Sequence, residues 1–208
     1  EPVEYSVAQY CYTQLGKGAV TADAKMRTLL VDLLNYGAAA QTYRSYNTNK
    51  LVNAKLTSEQ KAWGTGALRI LDTVLNTDYK VISNPTVTWK GAGLVLEDSV
   101  VLRLKIATDS TEGLAVKIRR EGAPTATVTA SHFEKADGGY YVYFDGLNAS
   151  EMSKTVYLTV YKGETAVSNT LSYSVESYAY SKLGVGGNLT ALLSAMMKYG
   201  DSAKAVAG

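Results

Sequence analysis

Few side chains in this sequence are suited to hydrolytic, redox or metal chemistry. The 208 residues include one histidine, His132, and one cysteine, Cys11. A structural zinc site takes four ligands from several such residues, and an internal disulfide needs two cysteines. There is no G-x-S-x-G motif, no EF-hand calcium loop and no phosphate loop with its Lys-Ser/Thr pair. We therefore predict neither a metal site nor a nucleotide site, and we interpret His132 as an ordinary histidine in a strand-like run, Thr127–Phe133.

Paired carboxylates are the remaining route to catalysis, because two Asp or Glu side chains can hydrolyse a glycosidic bond. Six residues are candidates by type alone: Asp98, Asp109, Glu112, Glu134, Asp137 and Asp145. Nearly all of them follow turn residues, where carboxylates usually cap backbone groups or stay solvated. We therefore predict that the protein is not an enzyme and that it carries no cofactor.

The composition favours recognition over catalysis. Sixteen tyrosines accompany only two phenylalanines and two tryptophans. A tyrosine ring suits surfaces that are half apolar and half wet, because its hydroxyl needs a partner. The net charge is only +2, which provides no strong field for a phosphate polymer, so we expect no nucleic-acid partner. No apolar run approaches the roughly 20 residues that cross a bilayer, so we predict no membrane insertion.

A sequence repeat relates the two ends of the chain. The segment 5–18, YSVAQYCYTQLGKG, matches 173–186, YSVESYAYSKLGVG, at eight of 14 positions. Downstream of each segment, apolar residues recur at helical spacing over 26–40 and 189–203. Each copy therefore predicts a helix hairpin. Cys11 aligns with an alanine of the second copy, which indicates a buried, inert thiol.

The first hairpin carries two further features. Gly37 lies on the apolar stripe, where a missing side chain lets another element approach closely, so we interpret it as a packing glycine. A third helix is predicted next, with an apolar stripe from Ala62 to Leu75 and with either Thr57 and Gln60 or Ser58 and Glu59 capping its start. The sequence Trp-Gly-Thr-Gly from Trp63 interrupts this stripe, so we expect the helix to unwind there or the ring to face outward.

Residues 79–172 predict strands, because their apolar residues alternate with a period of two between turn-rich pieces. Short strands at this spacing are typical of an immunoglobulin-like sandwich, here without the cysteine pair of antibody domains. The predicted fold class is therefore α+β. An immunoglobulin-like antiparallel β-sandwich is combined with a helical lobe built from repeated helix hairpins at both chain ends. The predicted domains are 1–78 for the N-terminal hairpin plus third helix, 79–172 for the sandwich, and 173–208 for the C-terminal hairpin.

Two arrangements of the hairpins are open. They either pack on each other as one helical lobe, or each belongs to its own sandwich in a tandem array. We favour the single lobe, because each two-helix stripe alone buries too little apolar surface to be stable.

The strand pattern also predicts a tyrosine-rich outer face. If Val142 and the apolar residues of 156–160 point inward, their tyrosine neighbours point outward, and the four rings share one face. Either they stack on a ligand, or the helices cover them. The rings are Tyr141, Tyr143, Tyr157 and Tyr161.

The two tryptophans are the other ring candidates. Trp63 stands in a Trp-Gly-Thr-Gly context that differs from the repeated helices. We therefore expect it to be a ligand contact rather than scaffold, and we expect its replacement by Ala to leave the melting temperature nearly unchanged. Trp89 lies two positions after Val87, so the two side chains are expected on the same face of a strand. This favours a core or sandwich-edge position for Trp89 over a ligand contact.

Several runs of the chain resemble a known group of modules. These are YSVAQYCYTQL, LLVDLLNYGAAAQTYRSYNT, LEDSVVLRLKI, NASEMSKTVYLTVYKG, and SNTLSYSVESYAYSKL with LLSAMMKYGDSAKA. They are similar to modules of large secreted or cell-surface proteins of gut anaerobic bacteria. Within that group, a β-sandwich joined to a helix cluster is similar to the starch-binding modules of amylosome (starch adherence system) proteins. The resemblance implies an extracellular location on the bacterial cell surface, within a larger multi-domain protein.

These observations lead to one functional hypothesis and one alternative. The first is a non-catalytic carbohydrate-binding module for α1,4-linked glucan (starch, amylopectin or maltooligosaccharide). The resemblance implies that it grips the sugar by aromatic stacking in a groove between the helical and β lobes. The candidate rings are Trp63, Trp89, Tyr141, Tyr143, Tyr157 and Tyr161. The alternative is a protein-interaction or adhesion module of a bacterial cell-surface assembly.

Overall fold

The structure is a computed structural model that describes residues 6–69, 77–96 and 100–208. It is an α+β protein with helices and two antiparallel sheets, so the predicted class is confirmed at that level. The chain divides into two compact units, Glu1–Leu71 with Ala179–Gly208, and Asp72–Tyr178. We call them the helical unit and the β unit. Within the described ranges, no helix is both long and apolar enough to cross a membrane.

Six α-helices are present in the described parts of the chain. Their bounds are α1 Val7–Leu15, α2 Gly18–Ala22, α3 Ala24–Tyr43, α4 Ser58–Ala62, α5 Val175–Lys182 and α6 Gly187–Ala207. The short helix α2 lies between α1 and α3. The unit boundary falls within α5.

Local capping explains where the N-terminal helices begin. Ser6 Oγ accepts a hydrogen bond from the Gln9 amide at 3.0 Å, and Asp23 Oδ1 accepts from the first amides of α3. Of the two caps predicted for α4, the Thr57–Gln60 capping box is the one present: each of these side chains accepts a hydrogen bond from the backbone amide of the other residue. These short-range bonds fix the starts of the helices.

Helix α4 is shorter than its apolar stripe predicts. It ends at Ala62, because the next turn lies directly against α3. A Cβ on Gly64 would come within 3.1 Å of both Val31 Cγ1 and Asp32 Oδ1. Residues 71 and 75, the far end of the predicted stripe, lie outside the described residues.

The core of the helical unit is built from the predicted stripes. A buried cluster joins α1 and α3 to the segment before α4: Cys11, Leu15, Leu30, Val31, Leu34 and Leu56. Cys11 is fully buried, as predicted, and burial raises the pKa of its thiol. Gly37 also proves to be a close-packing position, since a Cβ there would lie 2.9 Å from Val52 Cγ2. Helix α6 packs along α3, where the rings of Tyr36 and Tyr199 stack at 5.8 Å and 8°.

The described residues of the β unit form ten strands in two sheets. The bounds are β1 Thr77–Lys80, β2 Thr88–Leu96, β3 Val100–Ala107, β4 Leu114–Arg120, β5 Ala126–Thr129, β6 Glu134–Ala136, β7 Gly139–Phe144, β8 Val156–Lys162, β9 Thr165–Ala166 and β10 Thr170–Tyr173. Sheet I has the order β1-β10-β8-β4-β5, with β9 beside β8. Sheet II has the order β2-β3-β7-β6. All pairings are antiparallel.

The predicted inward parity of the strands is confirmed. Val142 and Phe144 of β7 are buried, and so are Val156, Leu158 and Val160 of β8. Their tyrosine neighbours are half-buried and lie on the opposite sides of the strands. Each sheet therefore has one apolar face and one face that carries rings.

The strand-like run at His132 is a correction. Strand β5 ends at Thr129, and Ala130–His132 form a 3₁₀ turn before β6 begins. The reason is topological, since β5 belongs to sheet I and β6 to sheet II. The chain must turn between them, so one strand cannot run from Thr127 to Phe133.

Candidate functional site

Trp63 packs against the scaffold of the helical unit, although its sequence context differs from that of the repeated helices. Its ring is half-buried against the core cluster of the helical unit. The Arg27 guanidinium lies 5.6 Å from the ring centroid, and Thr28 Oγ1 donates a hydrogen bond to the Trp63 carbonyl at 2.7 Å. Both neighbours belong to α3, so Trp63 fixes the end of α4 to that helix.

Trp89 is half-buried at the edge of the β unit. Its indole Nε1 donates to the Asn169 carbonyl at 2.9 Å, which uses the polar end of the ring. The ring lines a small cleft of about 160 Å³ together with Pro85, Val87 and Thr88. That volume is below the roughly 300–1,000 Å³ typical of ligand pockets. The position therefore resembles a structural position at a sheet edge more than a sugar platform.

The four candidate tyrosines do not share one face, which corrects the sequence-based expectation. Tyr141 and Tyr143 lie on β7 of sheet II, whereas Tyr157 and Tyr161 lie on β8 of sheet I. Parity along each strand shows which side chains point outward, but it does not show to which sheet the strand belongs. The candidate rings therefore form two separate groups.

On sheet I, Tyr157 is part of a cluster of rings and cations. Tyr79 of β1 packs against it with centroids 4.4 Å apart and planes at 55°. On the other side, Arg119 of β4 pairs with Tyr157 across the ladder and places its guanidinium 4.4 Å from the ring centroid. Tyr79 is 60% exposed, so this cluster presents an open aromatic edge to solvent.

Tyr161 is a second ring site on the same face. It lies four positions beyond Tyr157, which corresponds to about 13 Å along a strand. Lys117 Nζ lies 4.5 Å from its ring centroid and 3.1 Å from Glu164 Oε2. Between the two ring sites, the hydroxyls of Thr159 and Thr170 share a hydrogen bond of 2.7 Å.

We call this outer face the sheet I platform. Its members are Tyr79, Lys117, Arg119, Tyr157 and Tyr161. The sequence reasoning missed Tyr79, because β1 joins the sheet through β10, far along the chain. A signal for the cations was present, since Lys117 and Arg119 alternate with the buried Val116 and Ile118.

Sheet II carries the other two rings. Arg103 and Lys105 of β3 place their charges 5.0 and 5.8 Å from the Tyr141 ring centroid. Tyr143 lies 6.2 Å from Tyr141, centroid to centroid, and its hydroxyl donates to Glu134 Oε2 at 2.7 Å. That bond to a carboxylate, followed by desolvation, raises the pKa of the Tyr143 phenol.

The described candidate carboxylates form no metal-binding group. Among the residues that the structure describes, no three His, Cys, Asp or Glu side chains lie close enough together to hold a metal ion. Asp98 lies outside the described residues. Glu134 bonds to Tyr143, while Asp109, Glu112, Asp137 and Asp145 are exposed.

Comparisons of this chain with protein-family models, with curated proteins and with solved structures find no match. The functional proposal therefore rests on the chemistry of the surfaces described above and on the resemblance in the sequence.

Proposed function

We propose that the protein is a non-catalytic carbohydrate-binding module and that the sheet I platform is its polysaccharide contact surface. One observation carries this proposal: Tyr157, with its neighbour Tyr79, and Tyr161 lie on one face about 13 Å apart. This spacing suits a linear polymer that contacts both ring sites at once.

The chemistry of the platform supports a sugar ligand. A pyranose has C–H-lined faces that pack on aromatic rings and hydroxyls that bond to cations and hydroxyl groups. Tyr79 provides an exposed ring, and Lys117 provides a donor at the Tyr161 ring. Tyr79 packs on one side of Tyr157 and Arg119 covers the other, so a sugar that stacks on Tyr157 must displace Arg119, whose contact with the ring is worth about 0.5–1 kcal/mol at an exposed site.

The expected affinity of one contact is low. A sugar stack contributes on the order of 1 kcal/mol by analogy with aromatic pairs, so three rings provide about 3 kcal/mol. A millimolar dissociation constant corresponds to about 4 kcal/mol. Firm attachment therefore requires a polymer that offers many equivalent segments, or several modules in one protein.

The resemblance noted in the sequence supplies the finer part of the proposal. We propose α1,4-linked glucan as the polymer, an extracellular location on a bacterial cell surface, and a larger multi-domain parent protein. We also propose that sheets I and II form an immunoglobulin-like sandwich, and that α1 with α3 and α5 with α6 are two copies of one helix hairpin. The identities between 5–18 and 173–186 support the last point.

A second candidate function is protein interaction within a surface assembly. The observation that favours it is the pairing of rings with cations on both sheets, because tyrosine and arginine are enriched in protein interfaces. Such an interface needs a flat patch of roughly 800 Å² on each partner. It predicts no affinity for soluble polysaccharides.

Affinity electrophoresis tests the proposal. The purified chain is run through native gels that contain amylopectin, xylan, β-glucan or no polysaccharide. We expect retardation by amylopectin, and we expect Tyr157→Ala and Tyr161→Ala each to reduce it several-fold, since each removes one ring site. Tyr141→Ala is the matched comparison, because its ring also lies under a cation but on sheet II. Tyr46→Ala, an exposed ring of the helical unit, is the neutral control.

The possible results separate the candidates. Retardation that survives both sheet I variants but is lost in Tyr141→Ala would move the site to sheet II. Equal mobility of the unmodified chain in all four gels would contradict glycan binding and favour the protein-interaction function.

A further inference from the structure

A cleft opens in the β unit where the chain crosses from sheet I to sheet II. Strand β6 pairs Glu134 with Tyr141, and continuing this antiparallel register would place His132 opposite Tyr143. Instead, the 3₁₀ turn that ends at His132 takes the chain off the ladder. The cleft lies beside Tyr143, where the ladder is interrupted.

The cleft has the size of a small-molecule site. Its volume is about 430 Å³, within the roughly 300–1,000 Å³ typical of ligand pockets. We call it the edge cleft. Its lining residues are Val101, Thr127, Val128, His132, Tyr143 and Asp145. One ring and two aliphatic side chains thus face three polar side chains.

Two polar groups in the edge cleft have hydrogen-bonding capacity left over. His132 Nδ1 lies 3.2 Å from Thr129 Oγ1 and 3.1 Å from Ser131 Oγ, which occupies that side of the imidazole. Among the residues that the structure describes, His132 Nε2 and the Asp145 carboxylate have no protein partner. A donor-capable nitrogen and a carboxylate acceptor therefore lie in the same cleft.

The edge cleft is held in shape by its surroundings. Tyr143 is fixed through its hydroxyl, which donates to Glu134 at 2.7 Å. Next to Asp145, the Gly146 carbonyl accepts a hydrogen bond from Arg120, whose guanidinium also pairs with Glu151 at 3.2 Å. Groups fixed in this way lose little freedom when a ligand binds.

Charges around the edge cleft favour a neutral ligand. Arg103 lies across the ladder from Tyr143, and Arg120 bonds beside Asp145 while it pairs with Glu151. Charges of both signs therefore surround the cleft: these two arginines and the carboxylates of Glu134, Asp145 and Glu151. The arginines would repel a cationic ligand, and the carboxylates would repel an anionic ligand. A neutral polyol is repelled by neither group.

We propose that the edge cleft binds one neutral pyranose, such as the terminal glucose residue of a glycan. The Tyr143 ring and the two valines contact the C–H face of the sugar. Asp145 accepts hydrogen bonds from its hydroxyls, and His132 Nε2 forms another at the opposite rim. This site goes beyond polymer contact on the sheet I platform, because the two share no residue and the cleft holds a single ring.

Nuclear magnetic resonance of the full chain tests the site with D-glucose as the probe. We expect saturable shifts of the His132 and Tyr143 side-chain signals. Asp145→Ala should weaken binding about 10-fold, because it removes a hydrogen bond to a charged group. Asp137→Ala removes an exposed aspartate from the β6–β7 turn outside the cleft and should change nothing. His132→Ala is the second variant, in case the loss of Asp145 alters the turn.

The outcomes keep the two proposals apart. Tyr157→Ala should reduce amylopectin retardation and leave the glucose-induced shifts intact, while Asp145→Ala should do the reverse. Absence of saturable shifts with glucose would overturn the cleft proposal. So would a glucose affinity that is the same in Asp145→Ala and in His132→Ala as in the unmodified chain. Saturation by tetramethylammonium instead of glucose would also overturn it, because it would indicate a cation site.

Discussion

Replacing Trp63 by alanine is the change that best separates scaffold from ligand site. The structure places this ring against the core cluster of the helical unit, beneath Arg27. A fully buried Trp→Ala change typically costs about 3–5 kcal/mol. Because the Trp63 ring is only half-buried, we expect a loss of about 2 kcal/mol in the free energy of unfolding. This value includes the contact with Arg27, worth about 0.5–1 kcal/mol.

The assay is thermal unfolding followed by circular dichroism, with urea unfolding as a second measure. For a chain of this length, each 1 kcal/mol shifts the melting temperature by roughly 2–4 °C, so we expect a decrease of about 4–8 °C. Trp63→Phe, which retains a ring, should recover part of the loss. Tyr46→Ala is the control, because that ring is 65% exposed.

One combination of melting temperature and amylopectin retardation would refute a scaffold role for Trp63. If Trp63→Ala kept the original melting temperature and lost amylopectin retardation, the ring would be a ligand contact and its packing against the core would contribute little. Loss of stability with retained retardation, measured well below the melting temperature, is the result we expect.

Two other predictions follow from backbone packing and tyrosine burial. Gly139→Ala should destabilise the β unit by more than about 2 kcal/mol in urea unfolding, because its Cβ would lie 2.0 Å from the Ile106 carbonyl oxygen. Gly66→Ala is the control, since a Cβ at Gly66 would have no atom within 4 Å. Equal stability of the two variants would contradict the close packing at Gly139. Burial raises the pKa of Tyr173, so the folded state holds the phenol proton more tightly than the unfolded state, whose tyrosines titrate near pH 10. Stability should therefore be fully present below pH 10 and fall as the pH rises above it, and Tyr173→Phe should show a shallower fall, whereas an unchanged slope would argue against this cause.

Local features of this protein were predictable from its sequence. The Thr57–Gln60 capping box, the buried Cys11 and the alternating burial along β7 and β8 all depend on neighbours within a few residues. Periods of 3.6 and 2 residues report which side of an element is buried, because that side is set by backbone geometry. The α+β class follows from the same periods.

The candidate surfaces depended on contacts between distant parts of the chain. Strands β7 and β8 are consecutive, yet they pair in different sheets, so the four outward tyrosines separate into two groups. Tyr79 joins Tyr157 only because β1 pairs with β10, which lies beside β8. Strand pairing of this kind depends on packing across the whole unit, which no short window of sequence records.

The sequence by itself therefore indicated most of the helices and strands, their inward sides and a surplus of rings in a chain with little catalytic chemistry. Tertiary structure decided which rings meet and where a cleft opens. Contacts with α3 that only the tertiary structure forms place Trp63 against the helical scaffold. Tertiary structure also replaced a predicted strand at His132 with a 3₁₀ turn, because the chain changes sheets there. The physical reason is the same in both cases: burial and pairing partners are set by long-range packing, whereas the period of a pattern is set by the local backbone.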